Sequence, residues 1–294
     1  MVNKLKKSIV YFLYDHCLAY MINRRWKSRY GHKIDWRNPR NINEKMWWLA
    51  CHGDTSMWHI CADKYRVRQF VKDRGLEHLL IKLYGVWDNA NDINYDALPD
   101  KFILKCNHDS GTSVVVDKAL PFNKDEINTK LNIALSYKFG YSTGETFYNK
   151  IKPLIIAEEF LVDNVNTFSS SLVDYKVWCF NGKPYCTWAC HSRTKGCTYV
   201  NIYDMNWNVH PELTIPTDHY RDGKGVVPKP KTFDEMMEAA SVLSKGFPEV
   251  RVDFYEVNGK LYFGEMTFMT CFAEINHYTP EFLVELGEQC VLPL

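Results

Sequence analysis

Two Asn-Gly pairs, Asn181-Gly182 and Asn258-Gly259, each separate two runs rich in β-branched and aromatic residues. Asn-Gly readily takes the left-handed backbone of a two-residue hairpin turn, so each pair predicts two antiparallel strands. The runs 172–180 and 184–190 flank the first pair, 250–257 and 260–267 the second, and a further strand is expected at 197–203. An antiparallel sheet therefore fills the second half of the chain. Upstream, 101–106 reads as a strand and 114–116 as its hairpin partner, joined by the small, polar loop 107–113. Residues 155–162 read as another strand.

Helical signals surround these strands. Residues 5–30 carry an aromatic and aliphatic stripe that predicts a helix. Asn41 with Glu44 has the spacing of a capping box, opening a helix with Met46, Trp47, Trp48 and Leu49. A helix is expected from about His59 to Arg74 with Gly75 as its stop, and another over 232–245. The fold class is mixed α+β.

Composition narrows the possibilities. At 294 residues, 46% hydrophobic and 24% charged, the chain is globular rather than disordered or fibrous. A net charge of +1 argues against a dedicated nucleic-acid binder. That charge is uneven: residues 1–40 hold ten Lys and Arg against two Asp, a net +8, leaving −7 for the remainder. A basic head suits contact with an anionic surface such as a membrane; a solvated helix face is the alternative. No apolar run approaches the ~20 residues of a membrane span, and no signal peptide is evident, so the chain reads as cytoplasmic. Ten cysteines without a Cys-x-x-Cys pair read as reduced, mostly buried thiols rather than disulfides or a zinc site.

Two segments carry chemistry. Lys105, ending a strand before a Gly-containing loop with Ser110, Thr112 and Ser113, is a device for holding phosphate. In the last hairpin, Arg251 and Asp253 share a face. A two-residue turn pairs Val257 with Lys260 and sets Asp253 across from Gly264. Asp253 and Glu265 then share a face only where the strands are twisted or bulged. Carboxylates converging in a sheet call for cationic partners or a metal, and beside phosphate that metal is magnesium. An exposed, salt-bridged hairpin is the alternative.

The order of these parts, from Asp63-Lys64 through Lys105 and its loop, Glu158-Glu159, and Arg251-Val252-Asp253 to Gly264-Glu265-Met266-Thr267, resembles the ATP-grasp superfamily. A closer resemblance is to the TupA-like ATP-grasp family. It is carried by Asn43-Glu44-Lys45, Ala62-Asp63-Lys64-Tyr65, Leu104-Lys105-Cys106-Asn107-His108, Asp174-Tyr175-Lys176, Cys179-Phe180-Asn181-Gly182, Phe247-Pro248, Val250-Arg251-Val252-Asp253 and Tyr262-Phe263-Gly264-Glu265.

That resemblance implies an ATP-grasp fold, two α+β subdomains gripping ATP behind a helical N-terminal region. The implied divisions are a helical region 1–58, a pre-grasp segment 59–100, a lid subdomain 101–157 and a catalytic subdomain 158–294. It implies that Lys64 and Lys105 bind phosphates and that the loop of His108, Ser110, Gly111, Thr112 and Ser113 closes over them. Glu158, Glu159 and Leu161 would line the adenine site, largely through backbone. Asp253, Glu265 and Thr267 would hold Mg2+, Arg251 would face the transferred phosphoryl group, and Asp174 and Lys176 would reach ribose, phosphate or acceptor. The implied reaction is ATP-dependent joining of a carboxylate to an amine through an acyl phosphate. The family's association with bacterial surface polymers suggests a carboxylate-bearing sugar as one partner and an amino acid or amine as the other. Asp109 stands where the family's loop favours Gly. Thr267 stands where Asn is usual, and 269–273 replaces a Gly-rich stretch, which implies a differently shaped acceptor pocket. The alternatives are a nucleotide-binding protein without turnover and a sugar-nucleotide glycosyltransferase. The latter needs an Asp-x-Asp motif, and Asp88-Asn-Ala-Asn-Asp92 has the wrong spacing.

Overall fold

The computed structural model describes residues 2–293. Helices α1 (Val2–His16) and α2 (Leu18–Tyr30) replace the single helix expected over 5–30. Cys17 between them leaves the helical conformation (φ −135°, ψ 40°), and Tyr11 of α1 stacks on Tyr141 at 3.8 Å. Helix α3 (Ile42–His52) opens as its cap predicts, the Asn41 side chain accepting from the Glu44 N–H at 3.0 Å. Glu44 reaches back one residue further than a capping box requires, accepting from the Arg40 N–H at 2.7 Å.

The helix expected over 59–74 is instead two short ones, α4 (Trp58–Cys61) and α5 (Val67–Asp73). The turn between them holds Asp63 and Lys64. One Asp63 carboxylate oxygen accepts from the N–H groups of Tyr65 and Arg66 and from the Asn107 side chain, a local bonding pattern that competes with helix.

Two sheets follow. Strands β1 (Leu83–Trp87), β2 (Lys101–Cys106), β3 (Ser113–Asp117) and β4 (Ile155–Glu159) form a four-stranded antiparallel sheet in the order β1-β4-β2-β3. Helices α6 (Lys124–Leu135) and α7 (Phe139–Thr143) lie between β3 and β4 in sequence. Buried Phe102, Leu104, Leu131 and Ile155 form this sheet's own core. Strand β1 comes from the segment 59–100 and β4 runs across 157–158, so this sheet gathers residues from both sides of two of the expected divisions.

The second sheet has six strands: β5 (Asp174–Phe180), β6 (Lys183–His191), β7 (Thr198–Tyr203), β8 (Tyr220–Asp222), β9 (Val250–Val257) and β10 (Lys260–Thr267). Their order is β10-β9-β5-β6-β7-β8, antiparallel except for the β7–β8 pair. Both Asn-Gly turns sit where expected, with positive φ at Asn181 (49°), Gly182 (80°), Asn258 (52°) and Gly259 (77°). Helix α8 (Phe233–Ser244) covers one face, burying Met236, Ala240 and Leu243 against the sheet. Alternation puts Val250, Val252 and Phe254 on that face and Arg251, Asp253 and Tyr255 on the other.

Helix α9 (Pro280–Gln289) returns to the N-terminal helices. Lys45 donates to the carbonyls of Gly287 (2.7 Å) and Cys290 (2.8 Å), satisfying acceptors at the end of α9. Asn43 and Ile275 exchange two hydrogen bonds of 3.0 and 3.1 Å. The helical head is thereby fixed to the end of the chain, beside β10. Among the described residues no helix is long and apolar enough to cross a membrane.

Candidate active site

The site lies where the two sheets face each other. From the four-stranded side, the loop 107–113 is braced from below by Asn107. This residue is fully buried; its amide nitrogen donates to Asp63 (2.8 Å) and to the Lys152 carbonyl (3.0 Å). Its amide oxygen accepts from the Leu154 N–H (2.7 Å), and its own carbonyl accepts from the Lys64 N–H (3.2 Å). The Lys64 ammonium donates to the Asp109 carbonyl. Turn, loop and β4 are thus one bonded unit, which places Lys64 and Lys105 at the same cleft.

Lys105 lies on β2, and Glu158 two register steps away on β4. Their side chains pair at 2.9 Å, and the other Glu158 oxygen takes Arg68 from α5 at 3.2 Å. Glu158 therefore acts in this cleft through its side chain, not only its backbone. Gly111, Thr112 and Ser113 line the cleft. Val67, Leu80, Ile81 and Phe263 supply an apolar wall.

Other expected contacts fall elsewhere. The His108 ring is buried near the backbone of Ala134 and Tyr137, and burial lowers its pKa. Its ring lines neither chamber described here. Glu159 and Leu161 also lie outside; the Glu159 N–H donates to the Lys82 carbonyl at 2.9 Å. Ser110 lines the adjoining chamber rather than the first.

From the six-stranded side come the charged groups of β5, β9 and β10. Gly264 is a bulge: Phe263 pairs with Phe254, yet Glu265 pairs with Asp253. The expected facing of Asp253 and Gly264 is therefore displaced by one residue, and Glu265 stands across from Asp253. Asp253 is 1% exposed. Arg251 closes both its oxygens, Nε to Oδ1 at 2.7 Å and Nη2 to Oδ2 at 2.8 Å, and Lys176 also donates to Oδ2. Lys176 pairs with Asp174 at 2.7 Å, and Asp174 with Arg193 at 3.0 Å. Burial alone would raise the Asp253 pKa, but Arg251 and Lys176 hold it below the ordinary carboxylate value. Burial alone would lower the Lys176 pKa, but Asp174 and Asp253 hold it raised.

This geometry decides how magnesium fits. Glu265, half-exposed and lining both chambers, and Thr267 offer hard oxygens to the cleft, as a divalent cation requires. Asp253 does not fit as a direct ligand, because both its oxygens are committed to buried cations. Among the described residues no three His, Cys, Asp or Glu side chains are grouped to hold a metal.

A second chamber opens beyond Lys176, Arg193 and Glu265, which line both. It is walled by Trp188, Tyr220, Phe139 and Tyr148, and by Met269, Cys271 and Phe272 of the 269–273 stretch. Cys271, Phe272 and Ala273 hold consecutive positive φ values of 51°, 60° and 52°. Each is a conformation that L-residues adopt at a cost of about 1–2 kcal/mol.

The model of the family described as TupA-like ATPgrasp matches residues 44–291. The chain belongs to the TupA-like ATP-grasp family. No curated protein matches it. Among solved structures, the chain is similar to the D-alanine–D-alanine ligase of Bacillus anthracis complexed with ATP, at 16% identity, 76% of this chain, 57% of that chain and TM-score 0.40. It is also similar to the ATP-grasp ligase PsnB complexed with a minimal precursor (12%, 78%, 60%, 0.42). A third is phosphoribosylamine–glycine ligase of Thermotoga maritima (11%, 74%, 53%, 0.42). The chain thus spans little more than half the length of these ligases, and the assignment rests on the family match. For this ATP-grasp protein, sequence reasoning did not single out Arg68, Arg193, the apolar wall or Glu145, all of which line the two chambers. Arg68 ends the motif that begins Ala62-Asp63-Lys64-Tyr65 and continues through Val67; Arg193 and Glu145 lie in stretches with no periodic or motif signal.

Proposed function

We propose that this ATP-grasp protein is an ATP- and magnesium-dependent carboxylate–amine ligase acting through an acyl phosphate. The observation that carries the reading is the pair of abutting chambers sharing Lys176, Arg193 and Glu265. The first has lysines, a glycine-bearing loop and an apolar wall, as ATP requires. The second is polar and aromatic, with room for an acid and an amine. Lys64, Lys105 and the loop amides would hold the phosphates, and positioning with electrostatic stabilisation would do most of the catalytic work. Magnesium held by Glu265 and Thr267 would supply further counter-charge. Lys176, which lines both chambers, and Arg251, which lines the second, would face the phosphoryl group in transfer.

The finer reading, from the family's association, is attachment of an amino acid or amine to a carboxylate-bearing sugar of a surface or capsular polysaccharide. The basic N-terminal helices would hold the enzyme peripherally at the inner face of an anionic membrane. Two of their cations are already engaged: Arg25 and Arg29 both pair with Glu274, Arg25 at 2.8 Å. Exposed Ile9 and Phe12 of α1 support a surface role. The test is ATP conversion to ADP and phosphate across a panel of uronic acids and amino acids, with products read by mass. Acid- and amine-dependent turnover with an amide product is expected. ATP-independent transfer from a sugar nucleotide would instead establish the glycosyltransferase reading.

A further inference from the structure

Glu145 follows the α7 helix and lines the second chamber, yet it is only 4% exposed. Its Oε2 has no hydrogen-bond partner, and no described residue forms an ion pair with it. The charged and titratable groups around it do not neutralise it. Arg25 of α2 is the nearby cation, and it is spent on Glu274 and on the Thr143 carbonyl at 2.6 Å. From β10 comes Glu265, a second negative charge; Tyr148 and Cys271 flank it as neutral groups. Arg251 also faces the chamber, but Asp253 occupies it. A carboxyl group placed this deep without a counter-charge keeps its proton, and ionises near neutrality only when a ligand brings a positive charge to it.

The ligand chemistry follows from the walls. A cation with N–H donors satisfies the free oxygen, and aromatic Tyr148, Trp188 and Tyr220 in the walls of the same chamber suit an organic ammonium. The chamber volume of about 510 Å³ admits a small amine with its carboxylate partner.

We propose that Glu145 receives the ammonium group of the amine substrate and takes its proton. This rests on the ligase reading above. One N–H bond of the ammonium breaks and its proton passes to Glu145. The freed nitrogen lone pair forms the C–N bond at the acyl phosphate carbon, and the C–O bond to phosphate breaks, inorganic phosphate leaving with the electron pair. The second N–H proton that the nitrogen sheds on becoming an amide goes to the departing phosphate. Burial raises the Glu145 pKa to about 8, which matches a base that must accept and release a proton near neutrality.

The test uses the full chain labelled with [δ-13C]glutamate, with the Glu145 resonance identified by its absence in Glu145→Gln, or by its displacement in Glu145→Asp where the Gln variant does not fold. Methylammonium chloride is the probe, with sodium chloride at equal ionic strength as the control. The Glu145 titration midpoint is expected to fall by at least one pH unit with saturating methylammonium and to stay in place with sodium. A midpoint unmoved by methylammonium, or moved only by magnesium, overturns the proposal. ATP binding by the wild-type chain is measured separately by calorimetry. Its failure overturns the nucleotide reading while the methylammonium result still decides the role of Glu145.

Discussion

Arg251 closes both oxygens of Asp253 from two residues away on the same strand, at 2.7 and 2.8 Å. An Arg-x-Asp pair in a strand puts both side chains on one face, and burial makes the contact bidentate. The carboxylate is thereby a counter-ion for Arg251 and Lys176.

Removing that charge should be felt by the whole fold. Asp253→Asn strips buried Arg251 of its bidentate partner and leaves Lys176 with Asp174 alone, a loss of about 3–5 kcal/mol. The expected result is a clear fall in Tm by calorimetry together with loss of ATP turnover. An unchanged Tm would show that Arg251 and Lys176 find other partners.

Lys105→Ala should weaken ATP binding while sparing stability, because Glu158 keeps Arg68 at 3.2 Å. A lysine–phosphate contact contributes about 1.5–3 kcal/mol, so titration calorimetry should show roughly tenfold to hundredfold weaker binding.

Gly264→Ala should disturb the bulge. A Cβ there would sit 2.9 Å from the Asp253 carbonyl oxygen and 3.2 Å from the Tyr255 ring. Crowding against backbone costs about 1–3 kcal/mol. A lowered Tm and reduced ATP consumption are expected; wild-type values in both would mean that the bulge can shift.

Glu145 sets a pH dependence with a definite sign. Its folded pKa of about 8 lies above the ordinary 4.5, so between these values the folded state binds the extra proton. Its contribution to stability is full below 4.5 and is lost as pH rises through about 8. Glu145→Gln should flatten this part of the stability–pH profile, measured by urea unfolding, and should exceed the wild type in stability above pH 8. Parallel profiles would place the charge in solvent.

The basic head should bind anionic vesicles. Each Lys or Arg near such a surface adds about 1 kcal/mol. Co-flotation that weakens as salt rises, and is lost when residues 1–30 are removed from a still-folded chain, is the expected outcome. No flotation at low salt would assign these helices to packing alone.

Much of the frame was legible because it is local. The strands over 101–106, 250–257 and 260–267 and both Asn-Gly turns have the boundaries read from the residues. Strand β1, helices α6, α7 and α9 and strand β8 were missed; β1 and β8 lie at sheet edges and are held by pairing rather than by pattern.

The sequence by itself determined the family and the mixed α+β class and singled out Lys64, Lys105, Lys176, Arg251, Asp253 and Glu265, since motif order and turn chemistry are written in neighbouring residues. Only the tertiary structure decided how those charges are spent. Glu265 meets Asp253 because one bulged residue shifts the register of β10, and a register is fixed by the packing of both strands. Glu158 takes Lys105 and Arg68, and Arg25 is drawn to Glu274 and away from Glu145, because these partners lie tens to hundreds of residues apart in sequence. Whether a buried charge is paired or left for a ligand depends on what other segments bring to it, and no local pattern carries that information.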